Sequence, residues 1–137
     1  MRENKSVLFV GVGGQGTILA SKILTEGLLK SGYDVKMSEV HGMAQRGGSV
    51  TTQVRFGEKV NSPLIEKGTA DVIVSFEKSE AARWIPFLKK DGYLVVNDYE
   101  IYPVTVSTGA EKYPEDVNNR LKQTIKNTVI LNASALA

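Results

Sequence analysis

The chain is written in short apolar runs separated by glycine- and proline-bearing turns, and the spacing of its apolar positions changes from run to run. Val7-Leu8-Phe9-Val10 is continuous and ends at Gly11. A run of that length with β-branched residues, closed by glycine, predicts a strand buried on both faces at the centre of a parallel sheet. From Thr17 to Lys30 the spacing becomes helical. Leu19, Ile23, Leu24 and Leu28 recur at helical intervals and are expected to form that helix's buried stripe. Thr17 suits the N-cap and Gly32 the C-cap. Val35 to Val40 reads as a second strand, completing a βαβ unit of the usual right hand.

Residues 41–49 form a glycine-rich loop without hydrophobic period. Val50, Thr52, Val54 and Phe56 then alternate with Thr51, Gln53 and Arg55, the pattern of a half-buried strand. A turn at Gly57-Glu58 leaves room for a short antiparallel partner before Ser62-Pro63. Ala70 to Phe76 predicts another buried strand, followed by a short helix from Ser79 to Leu88 that Pro86 limits. Asp91-Gly92 turns the chain into a strand at Tyr93 to Asn97. Tyr102 to Val106 reads as extended and near an edge because of Pro103. Pro114-Glu115-Asp116 is expected to fill the first turn of a helix with Val117, Leu121 and Ile125 inward. Val129 to Leu131 is a last strand, and a helix is expected to begin at Ser134. Strands alternating with helices define an α/β class: a three-layer, Rossmann-like domain with a mostly parallel, mixed sheet. The 137 residues make one domain, 1–137.

Composition narrows the function classes. With 17 basic and 15 acidic residues the formal net charge is +2, and the basic residues are scattered. No block of Lys/Arg marks a nucleic-acid footprint. The chain has no cysteine and one histidine, so disulfides, thiolate zinc sites and cysteine-held iron–sulfur clusters are excluded within it, and no metal site is expected. No apolar run reaches membrane-spanning length. Met1 to Lys5 leads into a strand without a signal-peptide pattern, so a cytoplasmic location is expected.

Gly11-Val12-Gly13-Gly14-Gln15-Gly16 matches G-x-G-x-x-G between a strand and a helix. Glycines permit the tight turn and a close backbone approach, while N–H groups at the helix N-terminus and the helix dipole favour an anion. Thr17 stands where a P-loop requires lysine. A dinucleotide reading needs an acid about twenty residues on, and Glu39 occupies that place. The plainer reading is that the glycines serve strand–helix packing and Glu39 is a surface charge.

His41-Gly42-Met43-Ala44-Gln45-Arg46-Gly47-Gly48-Ser49 holds the single histidine. This loop and the glycine turn are expected to leave the carboxyl ends of adjacent strands, where open α/β sheets bind ligands. Arg46 suits bidentate recognition of a carboxylate or phosphate, and Gly47-Gly48 lets the backbone approach it. The plainer readings are a hydrogen-bonded structural histidine and an interface salt bridge.

These segments carry a resemblance. Gly11 to Gly16, Ala20-Ser21-Lys22-Ile23-Leu24 and Ser38 to Val50 are similar to the gamma subunit, or gamma domain, of the 2-oxoacid:ferredoxin oxidoreductases. So are Val54-Arg55-Phe56-Gly57, Ser62-Pro63-Leu64-Ile65, Ala70-Asp71-Val72 and Tyr113-Pro114. The His41–Gly48 string is the specific part, and the whole most resembles the indolepyruvate type. The resemblance implies oxidative decarboxylation of a 2-oxoacid on thiamine diphosphate. Electrons pass through iron–sulfur clusters to ferredoxin, and an acyl-CoA is released. It places thiamine diphosphate and the clusters in other subunits, which become this chain's partners. This chain would hold no cofactor alone, be inactive alone, and assemble and complete the site without a catalytic residue. The positions it points toward coenzyme A or an acyl intermediate are Gly11, Gly13, Gly14, Gln15, Gly16, Thr17, His41, Gln45, Arg46, Gly47 and Gly48. The family domain continues past the segment matching Asn132 to Ala137 with a further helix and strand, so a shortened domain is expected here. Two other readings stand beside this one: a stand-alone nicotinamide- or flavin-dependent oxidoreductase, and a non-catalytic interaction module.

Overall fold

The computed structural model describes residues 3–13, 16–41, 48–101, 108–110 and 112–133. The apolar run at Val7–Val10 becomes the middle of β1 (Lys5–Val12), an inner strand of a six-stranded sheet. Helix α1 (Thr17–Lys30) follows, then β2 (Asp34–His41) and β3 (Ser49–Gly57). The second half contains β4 (Ala70–Ser75), α2 (Lys78–Trp84), β5 (Leu88–Asn97), α3 (Val117–Thr124) and β6 (Asn127–Leu131). The strand order is β2-β3-β1-β4-β5-β6. β1, β4, β5 and β6 run parallel, and β3 is antiparallel to both of its neighbours. The sheet is therefore mixed and mostly parallel, as the pattern of runs implies. One expectation fails: β2 does not lie beside β1, because β3 is inserted between them.

Strand register sorts the side chains into two faces. On one, Leu8, Val10, Ile73, Leu94 and Val96 pack with Ala81 of α2 and Val117 and Leu121 of α3 in the main core. Full burial of each aliphatic side chain contributes about 2 kcal/mol. On the other, Phe9, Thr52 and Val54 are buried on the face that α1 covers. There the Thr25 hydroxyl lies 3.7 Å from the Met37 sulfur. Helices on both faces give three layers.

The inward side of α1 departs from the sequence expectation. Leu24 and Leu28 are half-buried, but Leu19 and Ile23 are each 64% exposed, while Thr17 and Ser21 are buried. At about 100° per residue, Thr17, Ser21, Leu24 and Leu28 form one stripe, and Leu19 lies nearly opposite it. The helix packs chiefly over β3 and β2. The Ser21 hydroxyl donates to the Ile18 carbonyl at 2.7 Å, so its burial leaves no unmet donor. At the other end Ser31 is the C-cap, and Gly32 at φ +88° follows it. The Gly32 and Tyr33 amides donate to Leu29 and Leu28 carbonyls, each at 3.1 Å, closing the helix in a Schellman motif.

No strand forms between Gly57 and Ala70. Side chains take over that segment's amides instead. Asp34 accepts from Val60 N–H at 2.7 Å, and Gln53 accepts from Ile65 N–H at 2.6 Å. The helix expected to reach Leu88 stops at Trp84 and tightens into a 3₁₀ turn at Ile85–Phe87 around Pro86. β5 begins at Leu88, bulges at Asp91 (φ +62°) and pairs regularly with β4 from Tyr93 onward. Pro114 and Glu115 precede α3 rather than fill its first turn, because Asp116 enters it at φ +56°. The extended run at Tyr102–Val106 and the helix at Ser134 lie outside the described residues.

Candidate functional site

β1 leads through α1 to β2 on one side of the sheet, and β4 leads through α2 to β5 on the other. α1 and α2 occupy opposite faces. The carboxyl ends of β1 and β4 are therefore a topological switch point, where the divergence of the two connections opens a crevice. The Phe76 amide donates to the Val10 carbonyl at 2.9 Å and closes its floor.

The glycine turn forms one wall. Gly11 pairs with Val50 and Val12 with Ser49 in the β1–β3 ladder. The Gly13 amide then donates to the Gly48 carbonyl at 3.1 Å, one step beyond the last strand pair. Gly16 is the exposed N-cap of α1 at φ +86°. A Cβ placed on it would meet nothing within 4 Å, so its glycine answers to backbone conformation and leaves open space at the helix end. The N-cap makes no side-chain hydrogen bond, and the first turn of α1 carries no acidic residue. The positive end of the helix dipole is thus uncompensated by its own residues, a setting that favours an anion. Thr17 does not cap. It is the first helical residue and is buried.

His41 ends β2 opposite Val50, so the His41, Val50 and Gly11 backbones form one row across three strands. The structure thus brings Gly11, Gly13, Gly16 and Gly48 to one end of the sheet, with the His41 backbone in the same row. The two loops do not leave adjacent strands: β3 separates β2 from β1 by two strand spacings, about 10 Å. Glu39 lies on that displaced strand, opposite Thr52, not on a neighbour of β1 as the dinucleotide reading requires. Gly14, Gln15, Gln45, Arg46, Gly47 and the His41 side chain lie outside the described residues.

Two glutamates beneath this edge were not singled out by sequence pattern. Glu77 is fully buried just after β4 and caps α2. Its carboxylate accepts from the Ser79 hydroxyl (2.6 Å), the Glu80 amide (2.9 Å), the Ile101 amide (3.1 Å) and the Tyr113 hydroxyl (2.5 Å). Four donors satisfy its lone pairs and join three separate segments of chain. Burial, with the hydrogen bond to Glu77 second, holds the Tyr113 hydroxyl well above the usual phenol range. Glu80, also buried, accepts from the Ser49 hydroxyl at 2.7 Å and the Trp84 indole N–H at 3.2 Å. It ties α2 to the first residue of β3, next to Gly48. The available signal was Glu77 and Glu80 three apart directly after a buried strand, close to a capping-box spacing.

A hollow of about 620 Å³ lies alongside, lined by Lys78, Glu100, Tyr113, Asp116, Asn118 and Lys122 among others. Lys78 pairs there with Glu100 and, at 3.7 Å, with Asp98. The bond to Glu100 raises the Lys78 ammonium above its ordinary range. That cation is already neutralised by its carboxylate partners. Among the described residues no group of three His, Cys, Asp or Glu is placed to hold a metal. No described helix is long and apolar enough to cross a membrane. A chain without cysteine offers no thiolate to an iron–sulfur cluster. The open end of α1 suits an anionic group such as a phosphate.

A doubly wound α/β domain with a glycine turn at its switch point is a general class, and comparison with known proteins makes it specific. Residues 6–137 match the family model described as pyruvate ferredoxin/flavodoxin oxidoreductase, and the chain belongs to that family. It is similar to the indolepyruvate oxidoreductase subunit IorB of Archaeoglobus fulgidus, 40% identical over 134 residues, covering 96% of this chain and 66% of that protein. Among solved structures, the pyruvate oxidoreductase subunit PORC of Thermotoga maritima matches at TM-score 0.69 with 19% identity, over 98% of this chain and 65% of that one. The 2-oxoglutarate:ferredoxin oxidoreductase of Magnetococcus marinus, solved with 2-oxoglutarate, coenzyme A and succinyl-CoA bound, matches at TM-score 0.61 with 19% identity. That match covers 84% of this chain and 19% of that one. At such identity the two structures establish the fold alone. The chain spans from about half to two thirds of the length of the first curated relatives it matches.

Proposed function

We propose that this chain is a non-catalytic subunit of a thiamine-diphosphate-dependent 2-oxoacid:ferredoxin oxidoreductase of the indolepyruvate type. Its part is to complete an active site whose thiamine diphosphate and iron–sulfur clusters sit on partner subunits. The complex oxidatively decarboxylates a 2-oxoacid, passes electrons to ferredoxin and releases an acyl-CoA, and this chain is inactive alone. The observation that carries the reading is the family match over residues 6–137.

The glycine turn, Gly11 through Gly16 with Thr17, and the loop His41 through Gly48 form one wall of the shared site. Coenzyme A, when bound, supplies the thiol that accepts the acyl group. This chain's contribution is to receive its phosphates on backbone N–H groups at the start of α1, in a turn held to β3 by the Gly13–Gly48 hydrogen bond. Arg46, Gln45 and Gln15 add side-chain contacts, and Gly14 and Gly47 allow close approach. The Magnetococcus enzyme, about a fifth of whose chain shares this fold, was solved with coenzyme A bound, which supports this choice of anion. The complex works in the cytoplasm.

The placement of β2 beyond β3 disfavours a stand-alone dinucleotide enzyme, because Glu39 is removed from the strand next to β1. The test is co-expression with the partner subunits. A complex containing this chain is expected to reduce an artificial acceptor anaerobically with a 2-oxoacid and coenzyme A. If no partner co-purifies and adding this chain never changes activity, the assignment is wrong.

A further inference from the structure

The first turn of α2 is tied to the chain on both sides of the crevice. The residues that lead into it are fixed by backbone: the Phe76 amide donates to the Val10 carbonyl at 2.9 Å, and the Lys78 amide to the Tyr99 carbonyl at 3.1 Å. Toward β5 and α3, Glu77 accepts from the Ile101 amide and the Tyr113 hydroxyl. That hydroxyl in turn accepts from the Ser79 amide at 3.2 Å. Toward β3, a single oxygen of Glu80, Oε2, accepts from both the Ser49 hydroxyl at 2.7 Å and the Trp84 indole N–H at 3.2 Å. The other oxygen, Oε1, lies 3.5 Å from Arg83 Nε.

α2 has seven residues, too few to be stable by itself, so its place is set by these contacts. A buried carboxylate is costly even when its lone pairs are met. An aliphatic side chain of similar size would fill the place of Glu80 without that cost, so packing alone gives no reason for an acid there. What the acid adds is a directed, charge-assisted bond to Ser49, stronger than a neutral one. Ser49 is the first residue of β3 and pairs with Val12. The Gly48 carbonyl that receives the Gly13 amide is one residue before it. Two hydrogen bonds and one residue of chain thus separate the Glu80 carboxylate from the glycine turn. Such a turn is held only as firmly as the groups locked behind it.

We infer that Glu80 is a positioning residue for the glycine-turn wall. From a helix turn that Glu77 holds in place, it fixes Ser49 and with it the Gly48 carbonyl on which the Gly13 amide rests. Its effect on coenzyme A rests on the proposed function, whereas its effect on the turn does not.

The test reads amide hydrogen exchange in the chain alone and the KM for coenzyme A in the reconstituted complex. Exchange of the Gly13 amide is compared with that of Val54, in the middle of β3, which reports global opening. Glu80→Leu should speed Gly13 exchange about fivefold relative to Val54. Ser49→Ala, a milder change at the other end of the same bond, should do the same. Glu80→Gln, whose amide oxygen can still accept from both Ser49 and Trp84, should fall between Glu80→Leu and the wild type. Val117→Ala, a core change in α3, should leave the ratio unaltered, which separates positioning from a general loss of stability. In the complex, Glu80→Leu should raise the KM for coenzyme A about threefold, with the KM for the 2-oxoacid unchanged. An unchanged Gly13 ratio in folded Glu80→Leu and Ser49→Ala overturns the inference. So does a KM for coenzyme A that rises in Gly13→Val but not in Glu80→Leu. Faster Gly13 exchange with that KM unaltered in both Glu80→Leu and Gly13→Val upholds the positioning role and removes coenzyme A from the wall.

Discussion

The Gly13 amide and the Gly48 carbonyl are joined by a 3.1 Å hydrogen bond, one residue past the last pair of the β1–β3 ladder. Through it the glycine turn and the start of β3 become one piece of backbone. The next residue, Ser49, is held from below by the buried carboxylate of Glu80. The wall proposed to receive coenzyme A is thus anchored to α2, on the other face of the sheet.

That anchoring can be measured. Ser49→Ala removes a hydrogen bond to a carboxylate and should cost about 1.5 kcal/mol in urea unfolding. In a double-mutant cycle with Glu80→Gln the two changes should couple, because they share one contact. Additive effects would show that the contact does not bear on stability.

Gly16 and Gly32 form a natural comparison. Both have positive φ, and neither has an atom within 4 Å of the Cβ direction. Alanine at either should cost about 1 kcal/mol of stability through backbone strain alone. Only Gly16→Ala should also lower the activity of the assembled complex. Equal activity in the two variants would remove the turn from the site.

The Glu77 cluster predicts a larger effect and a pH dependence. Glu77→Ala strands four donors and should cost at least about 3 kcal/mol, whereas Tyr113→Phe should cost about 1.5 kcal/mol. The folded state raises the Tyr113 phenol above its ordinary value of 10.0. The folded form therefore retains a proton that the unfolded chain releases above that value. This contribution is fully present below pH 10 and falls as pH climbs toward the raised folded value. Tyr113→Phe should flatten the alkaline limb of the stability curve. An unchanged limb would contradict the assignment.

Thr52 offers a gain. It is fully buried, and its hydroxyl finds no hydrogen-bond partner among the described residues. Thr52→Val keeps the shape and removes the unmet hydroxyl, and should raise stability by about 1 kcal/mol in the same assay. A loss would indicate a partner for that hydroxyl.

Much of the fold was legible because it depends on local pattern. The run at Val7–Val10 and the stripe of Val117 and Leu121 were read correctly, whereas Thr51, on the outward side of the Val50–Phe56 alternation, is buried as well, so β3 is covered on both faces there. The insertion of β3 between β1 and β2 was not legible, because strand order depends on long-range pairing that no local period encodes. The inward side of α1 was misread for a different reason. Leu19 and Ile23 are apolar and spaced helically, but the side of α1 that meets the sheet is set by its packing over β3 and β2, which buries Thr17 and Ser21 instead. At the site, the glycine turn carried its own signature. Glu77 and Glu80 did not, since a glutamate's burial is decided by donors such as Tyr113 and Ser49 that lie more than 30 residues away.

The central claim, that the turn joined to Gly48 forms a coenzyme A wall in an assembled oxidoreductase, is tested most directly by the KM for coenzyme A. Steady-state kinetics of the reconstituted complex would compare wild type with Gly13→Val and the milder Gly16→Ala, with assembly checked by size exclusion. At least a tenfold rise in that KM for Gly13→Val is predicted, with a smaller rise for Gly16→Ala and the KM for the 2-oxoacid unchanged. An unaltered KM for coenzyme A in an intact complex of either variant would contradict the account.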